Sequence, residues 1–448
     1  MRPMKRLLIA AVPLGSLLLG MNSGAAPTAD IRSEIDAAYP QAETLYLDLH
    51  RHPELSGHEQ RTAAKLAAAL RELHFEVTEH VGGTGVVGVL KNGTGPVVML
   101  RTELDALPVE EKTGLPFAST EKATDATGRE VAVMHACGHD IHMAAWTATA
   151  RIMASTRDRW RGTLILIGQP AEEDGDGATD MVQDGLFTRF PKPDYALAVH
   201  DDSRYPAGLI GYQLGAVMSA IDELTVIVHG RGGHGARPEA TIDPIVIAAR
   251  IVVTLQTIVA RETSPLEPSV ITVGSIHGGT RPNIIPDDVT MQLTVRSVSE
   301  ANRQHLLSSI ARIANAEAAA AGAPVAPTIR SDGHIPALIN DAALSQRLSA
   351  ALLRQLGPTR VKDTAPEMVS EDFSVYGESG VRLMMFRIGA TSQATLDEAA
   401  KTGISAPSLH SAKFAPEREP TIKATATAEV LALRELMPAA GGHAGSAR

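Results

Sequence analysis

Three groups of residues along this chain carry side chains with the types and spacing for metal-assisted hydrolysis. The densest is MHACGHDIHM over 134–143, which sets Cys137, His139 and His142 between a glycine and the start of a helix. Thiolate and imidazole are ligands that borderline divalent ions such as Zn²⁺ accept readily. Cys-x-His alone is a weak pattern, because a single histidine is more often a surface or core residue. The second group is Gln169-Pro170-Ala171-Glu172-Glu173, directly after the apolar run TLILIG. Carboxylates at the carboxyl end of a buried strand sit where α/β folds place their active sites. On extended backbone adjacent side chains point opposite ways, so one acid could bind metal while the other moves a proton. Asp174 and Asp176 continue the acidic run, and a solvated loop is the plain alternative. The third group is a pair of imidazoles, His200 closing YALAVH and His410 within PSLHSAKF. Together the His, Cys and Glu side chains are numerous enough for two ions with open positions. Cys137 is the single cysteine, so no intramolecular disulfide can form, and the thiol is either buried filler or a ligand.

Regular elements must hold these groups in place. Helical periodicity covers 33–50 and 59–73, and strand-like runs follow at 86–90 and 97–100 with Asn92-Gly93 marking the turn between them. A helix over 142–155 and a short buried strand over 163–168 complete an α/β layered pattern. From 215 to 331 the rhythm changes. The strand ELTVIVHG leads to an amphipathic helix over 244–261, with Ile247, Ile251, Leu255 and Ile258 on one face. Strands over 270–276 and 289–297, a helix over 300–320 and a strand near 325–329 then give the order β-α-β-β-α-β, the ferredoxin-like split unit. Met291, Leu293 and Val295 alternate on one strand face, which sends Arg296 to the other.

A chain of 448 residues is long enough for two domains. Its 44% hydrophobic and 21% charged residues are ordinary for globular cores, although aromatics supply only 3% and aliphatic side chains must do most of the packing. The formal charge of −10, with no block rich in Lys and Arg, argues against a nucleic-acid partner. Residues 1–25 read as a signal peptide: Arg2, Lys5 and Arg6 precede an apolar run over 7–20, and small residues follow, with cleavage expected after Ala25. That run is shorter than the roughly 20 residues needed to span a bilayer. No other stretch is expected to cross a membrane. The mature protein is therefore expected to be exported, periplasmic or secreted, with a flexible tail over 438–448.

Several blocks, in order, resemble one enzyme family. They are HRHPELSGHEQRTA from His50, RTELDALPV from Arg101, HACGHD, QPAEE, GRGGHGARP from Gly230, GGTRPNIIPD from Gly278, SEDFSVYG from Ser370 and SLHSAKF. The chain resembles the aminoacylase and carboxypeptidase family of co-catalytic metallopeptidases over nearly its whole mature length. Within that family it is similar to the amidohydrolase branch of hippurate and auxin-conjugate hydrolases. The resemblance implies a two-domain α/β fold: a mixed-sheet metallopeptidase catalytic domain over 26–214 and 332–437, with an inserted ferredoxin-like α+β lid and dimerisation domain over 215–331.

It further implies two divalent ions per chain, Mn, Zn, Co or Ni, held by Cys137, His139, Glu173, His200 and His410. Glu172 becomes the general base acting on a metal-bound water, and His234 supports the carbonyl oxygen as it gains charge. Asn283 and Arg296 fall where relatives grip the substrate, and Asp105 orients a ligand from behind. The implied substrate is an N-acyl amino acid or a similar small amide conjugate. A homodimer through the inserted domain is implied too, with His234 serving the partner's site. An exported carboxypeptidase or dipeptidase on the same scaffold is the near alternative. A non-catalytic binding module is the remote one, and it would be expected to have lost a ligand or Glu172. The chain departs from the family at Glu103, where Asp is usual, and over 393–406. Asp140, His142 and Glu371 match the family without an assigned role.

Overall fold

The computed structural model describes residues 28–439, so the expected signal peptide and residues 440–448 lie outside the described residues. Pro438, at the expected start of the tail, pairs with Trp160.

An eight-stranded mixed sheet runs in the order Glu76–Glu79, Val86–Asn92, Gly162–Gln169, Val97–Glu103, Tyr195–Pro206, Arg382–Thr391, Ile210–Tyr212 and Val361–Asp363. Its four central strands are parallel. Both faces are covered. Leu164 and Leu166 face a core built with helices Thr28–Arg51, His139–Ser155 and Arg418–Leu436, whereas Ile165 and Ile167 belong to the core on the opposite side. A strand buried on both faces has no polar side to show, which is why TLILIG reads as unbroken apolar sequence.

Helix His139–Ser155 begins three residues before the expected 142. Gly138, at φ 79°, is the reason: a Cβ there would meet Asp201 Oδ2 at 2.2 Å, so only glycine lets the chain turn straight into the helix. Asp140 in the first turn faces the positive end of the helix dipole.

Asp140 also anchors the end of the first helix. The buried His50 ring places Nδ1 2.7 Å from Asp140 Oδ2 and Nε2 3.2 Å from Glu111 Oε1. Burial pushes the imidazole pKa down, but hydrogen bonds and charge from the two carboxylates outweigh it and raise the pKa to about 9 from 6.5. A raised folded-state pKa gives stability that is complete below about pH 6.5 and is lost as pH climbs through 9. The melting temperature of the metal-loaded protein should therefore fall more steeply between pH 6.5 and 9 in the parent than in His50→Gln. Parallel curves for the two proteins would remove His50 from the account.

A second, four-stranded antiparallel sheet has the order Ser269–His277, Asp288–Ser297, Ala220–His229, Thr328–Ile335. Helices Pro244–Thr257 and Glu300–Ala320 pack on it around a core of their own that includes Ile247, Ile251, Leu255, Met291, Leu293 and Val295. The chain order is β-α-β-β-α-β. The last strand lies later than 325–329, because Pro324 and Pro327 cannot donate to a ladder and pairing starts only at Thr328. It continues to Ile335, opposite Ile221, so position 331 falls inside it.

The segment Pro244–Glu262 corrects one expectation, being long and apolar enough on composition to cross a membrane. Part of its apolar character belongs to the sheet it covers, where Ile247, Ile251, Leu255 and Ile258 are buried, whereas Ile245, Val246 and Val253 are exposed.

Candidate metal centre

Strand Gly162–Gln169 ends at the mouth of a cavity of about 640 Å³. Cys137, Glu172, Glu173, His200 and His410 line it, together with Arg296. His139, buried behind them, joins the group through Nε2, 3.9 Å from Glu172 Oε2 and 4.0 Å from Glu173 Oε1. Cys137 Sγ lies 3.6 Å from His200 Nε2 and 3.3 Å from His410 Nε2, and His410 Nε2 is 3.5 Å from Glu173 Oε2. The candidate ligand atoms form overlapping triads: Cys137, His139 and His200; Cys137, Glu173 and His410; His139, Glu172 and Glu173. All five expected ligands and the expected base are therefore brought to one place.

The histidines are oriented from behind. His139 places Nδ1 2.8 Å from the Asp105 carbonyl oxygen, and His200 places Nδ1 2.8 Å from that of Asp201. Each contact commits Nδ1–H to a carbonyl and leaves Nε2 facing the cavity with its lone pair. His142 differs. Nδ1 is 3.0 Å from Glu103 Oε2, and Nε2 accepts the Asp201 N–H at 3.0 Å, so both ring nitrogens are engaged. Glu103, the residue that departs from the family block, is buried and paired with Arg101.

One expectation about the acids needs correction. Glu172 and Glu173 do not lie on extended backbone with opposed side chains. Ala171, at φ 48°, breaks the strand, and the pair sits in a turn closed by Gly175 N–H to the Glu172 carbonyl at 2.8 Å. Both carboxylates consequently reach the same imidazole.

The electrostatics fit a bound cation. Burial pushes the Cys137 thiol well up, helped by Glu173, Glu172 and Asp201. Burial also pushes Glu172 well up, with Glu371, Glu173 and Asp372 adding to it. His139 would be pushed down by burial, but the bond to Asp105 and the charges of Glu103, Asp105 and Glu173 raise it to about 10. Buried His139 Nε2 and Glu173 Oε1 have no hydrogen-bond partner. Excess negative charge, a thiol and unpartnered nitrogen and oxygen atoms form a donor set suited to a borderline divalent ion.

The expected substrate-binding residues are divided. Arg296 lines the cavity, half-buried, and donates through Nη1 to the Met368 carbonyl at 2.9 Å. His234 and Asn283 do not line it. They sit exposed beside each other on the short ribbon of Gly233–His234 and Ile284–Ile285, joined by Gly235 N–H to the Asn283 carbonyl at 2.9 Å.

The family model for Peptidase family M20/M25/M40 matches residues 99–404, about two thirds of the chain. The chain belongs to this family. Among curated relatives of the M20 chain, thermostable carboxypeptidase 1 of Saccharolobus solfataricus is 38% identical, covering 73% of this chain and 80% of its own. The hippurate hydrolase of Campylobacter jejuni is 35% identical, covering 75% of this chain and 85% of its own. A solved Bacillus subtilis dinuclear metal-binding peptidase from the M20 family superposes with a TM-score of 0.72 at 28% identity, covering 90% of this chain and 99% of that one.

Some neighbours of the M20 centre escape sequence reasoning. Asp201 stands within 3.3 Å of His200 Nδ1 and 3.4 Å of His142 Nε2. Burial would raise its carboxyl, but those two histidines hold it down to about 2. Its position directly after His200 was the available signal. Arg101 donates to Glu371 at 2.7 Å and to Asp372 at 2.9 Å beneath Glu172, and Glu371 also accepts the Phe373 N–H at 3.0 Å. Asp202, Arg204, Glu367 and Arg387 form a charge-balanced cluster on the cavity wall.

Proposed function

We propose that this chain is an exported amidohydrolase that binds two divalent ions and cleaves the amide bond of N-acyl amino acids or related small conjugates. The observation that carries the reading is the convergence of Cys137, His139, Glu173, His200 and His410 around Glu172, in a cavity that Arg296 also enters. When bound, the ions supply Lewis-acid polarisation of the amide carbonyl and lower the pKa of a water molecule. Glu172 accepts the proton from that water and returns it to the leaving nitrogen. Without ions, burial and the charges of Glu371, Glu173 and Asp372 hold this carboxyl well above the usual carboxylate range, so bound cations are what favour its ionised, proton-accepting form. Arg296, whose other guanidinium donors remain available beside Met368, binds the carboxylate of the leaving amino acid. His234, exposed and outside its own chain's cavity, supports the carbonyl oxygen of a second subunit's substrate. Exposed Ile245, Val246 and Val253 on the smaller core's helix support a homodimer through that part of the chain.

Arg296→Ala should lower kcat/KM for N-acetyl and N-benzoyl amino acids far more than for the matching amides without a free carboxylate. A charge-assisted hydrogen bond is worth about 1.5–3 kcal/mol, a loss on the order of 10- to 100-fold. Equal losses on both substrate types would leave Arg296 a structural residue. Dipeptides assayed beside the N-acyl series, with Mn²⁺, Zn²⁺, Co²⁺ and Ni²⁺ in turn, distinguish this reading from a carboxypeptidase or dipeptidase on the same scaffold and identify the preferred ion.

A further inference from the structure

The segment HRHPELSGHEQRTA contributes nothing to the chemistry above, yet its middle, Ser56 to Glu59, lies against the turn that carries Glu172 and Glu173. Glu59, fully buried at the start of helix Gln60–Glu72, accepts the Ala171 N–H at 2.9 Å and the Gly57 N–H at 2.8 Å, both on Oε1. Thr84 donates its hydroxyl to Oε2 at 2.6 Å. Ala171 is the residue that turns the chain out of its strand, and its φ of 48° is a backbone state that a side chain with a Cβ holds only where the surroundings over-determine it. On the other side of the pair, the Glu173 N–H donates to Asp105 Oδ2 at 2.9 Å, and Ser56 donates to the same oxygen at 2.8 Å. The turn is thus gripped at both shoulders, with Ser56 on one side and Gly57 and Glu59 on the other.

We infer that Glu59 is a positioning residue for the reaction: through the Ala171 N–H it fixes the turn so that the Glu172 carboxylate faces the cavity. The inference rests on Glu172 being the base. Glu59 itself touches neither substrate nor ions. Its loss should leave substrate binding in place, because Arg296 reaches the cavity from a different sheet. Glu173 keeps its separate anchor on Asp105, so ion binding should persist as well.

The test compares Glu59→Ala, Glu59→Gln and Thr84→Val in the metal-loaded full chain, reading kcat, KM, metal content and amide exchange over 169–177. Glu59→Ala is expected to lower kcat by about 10²-fold, the typical cost of a roughly 1 Å misplacement, with KM nearly unchanged and the Ala171 amide exchanging faster. Glu59→Gln keeps an oxygen with two lone pairs for the two N–H groups, and kcat should stay within about fivefold of the parent. Thr84→Val, close to the same shape, removes only the bond to Oε2 and keeps the idea testable should the alanine variant not fold. Its kcat should drop several-fold, with faster exchange at Ala171.

Unchanged exchange at Ala171 in folded Glu59→Ala and Thr84→Val overturns the grip, and faster exchange with parental kcat overturns its role in positioning. A glutamine variant as impaired as the alanine one also overturns it, since charge rather than geometry would then matter. The exchange readout does not depend on which group is the base. Retained turnover in Glu172→Gln would therefore defeat the functional reading without touching the exchange result.

Discussion

Glu172→Gln is expected to remove most turnover while leaving metal content near that of the parent. The amide keeps the shape of the side chain but cannot take a proton, and general acid–base catalysis contributes about 10²–10⁴-fold. Burial and the nearby charges of Glu371, Glu173 and Asp372 make this carboxylate costly to ionise, so neutralising it should not destabilise the fold. Glu173→Gln should behave differently. Glu173 shares a triad with Cys137 and His410, and its Oε1 is unpartnered in the protein, so the substitution should weaken ion retention first and activity as a consequence. Elemental analysis of both variants beside kcat makes the comparison. Comparable metal loss in the two would show that the pair has been divided wrongly, and the comparison is needed because both carboxylates reach His139 Nε2.

That shared reach also shows where the sequence stops being informative. The strand before the pair is legible because burial on both faces forces six apolar or small residues in a row, TLILIG. The turn after it is not, since it depends on Ala171 at positive φ, and alanine gives no such signal where glycine would. Gly138 was visible as a glycine, but its consequence, a helix beginning at His139, requires Asp201 to lie against it from 63 residues away. Local motifs put Cys137, His139, His142 and the adjacent glutamates forward as candidates, and the resemblance to the metallopeptidase family selected the five ligands among them. The groups that tune those ligands could not. Arg101 meets Glu371 and Asp372 across some 270 residues, and no spacing rule encodes that pairing. Likewise the split β-α-β-β-α-β order follows from alternation in residues such as Met291, Leu293 and Val295, whereas the late start of the last strand follows from Pro324 and Pro327.

Removing the ions should abolish activity, and returning them should restore it. In the ion-free site the acids crowd together, and the protons they attract end up on groups that must be proton-free to act as ligands. Burial pushes the Cys137 thiol well up, and His139 holds a proton to about pH 10 once its carboxylate neighbours outweigh burial. A divalent ion reverses both, because it binds thiolate and neutral imidazole and supplies the positive charge the carboxylates lack. Metal uptake at neutral pH should therefore release protons, and affinity should fall as pH is lowered, since protons then compete harder for the same atoms. Titration calorimetry in two buffers of different ionisation enthalpy measures the proton release directly. Cys137→Ser isolates the thiol's share: a neutral hydroxyl is a poorer ligand, so the variant should lose metal on dialysis and need excess ion for turnover. Cys137 lies within ligand distance of both His200 and His410, which makes its loss felt in two of the three triads. Active protein free of transition metal would falsify the whole scheme, whereas full metal content and activity in Cys137→Ser would return that side chain to the role of packing.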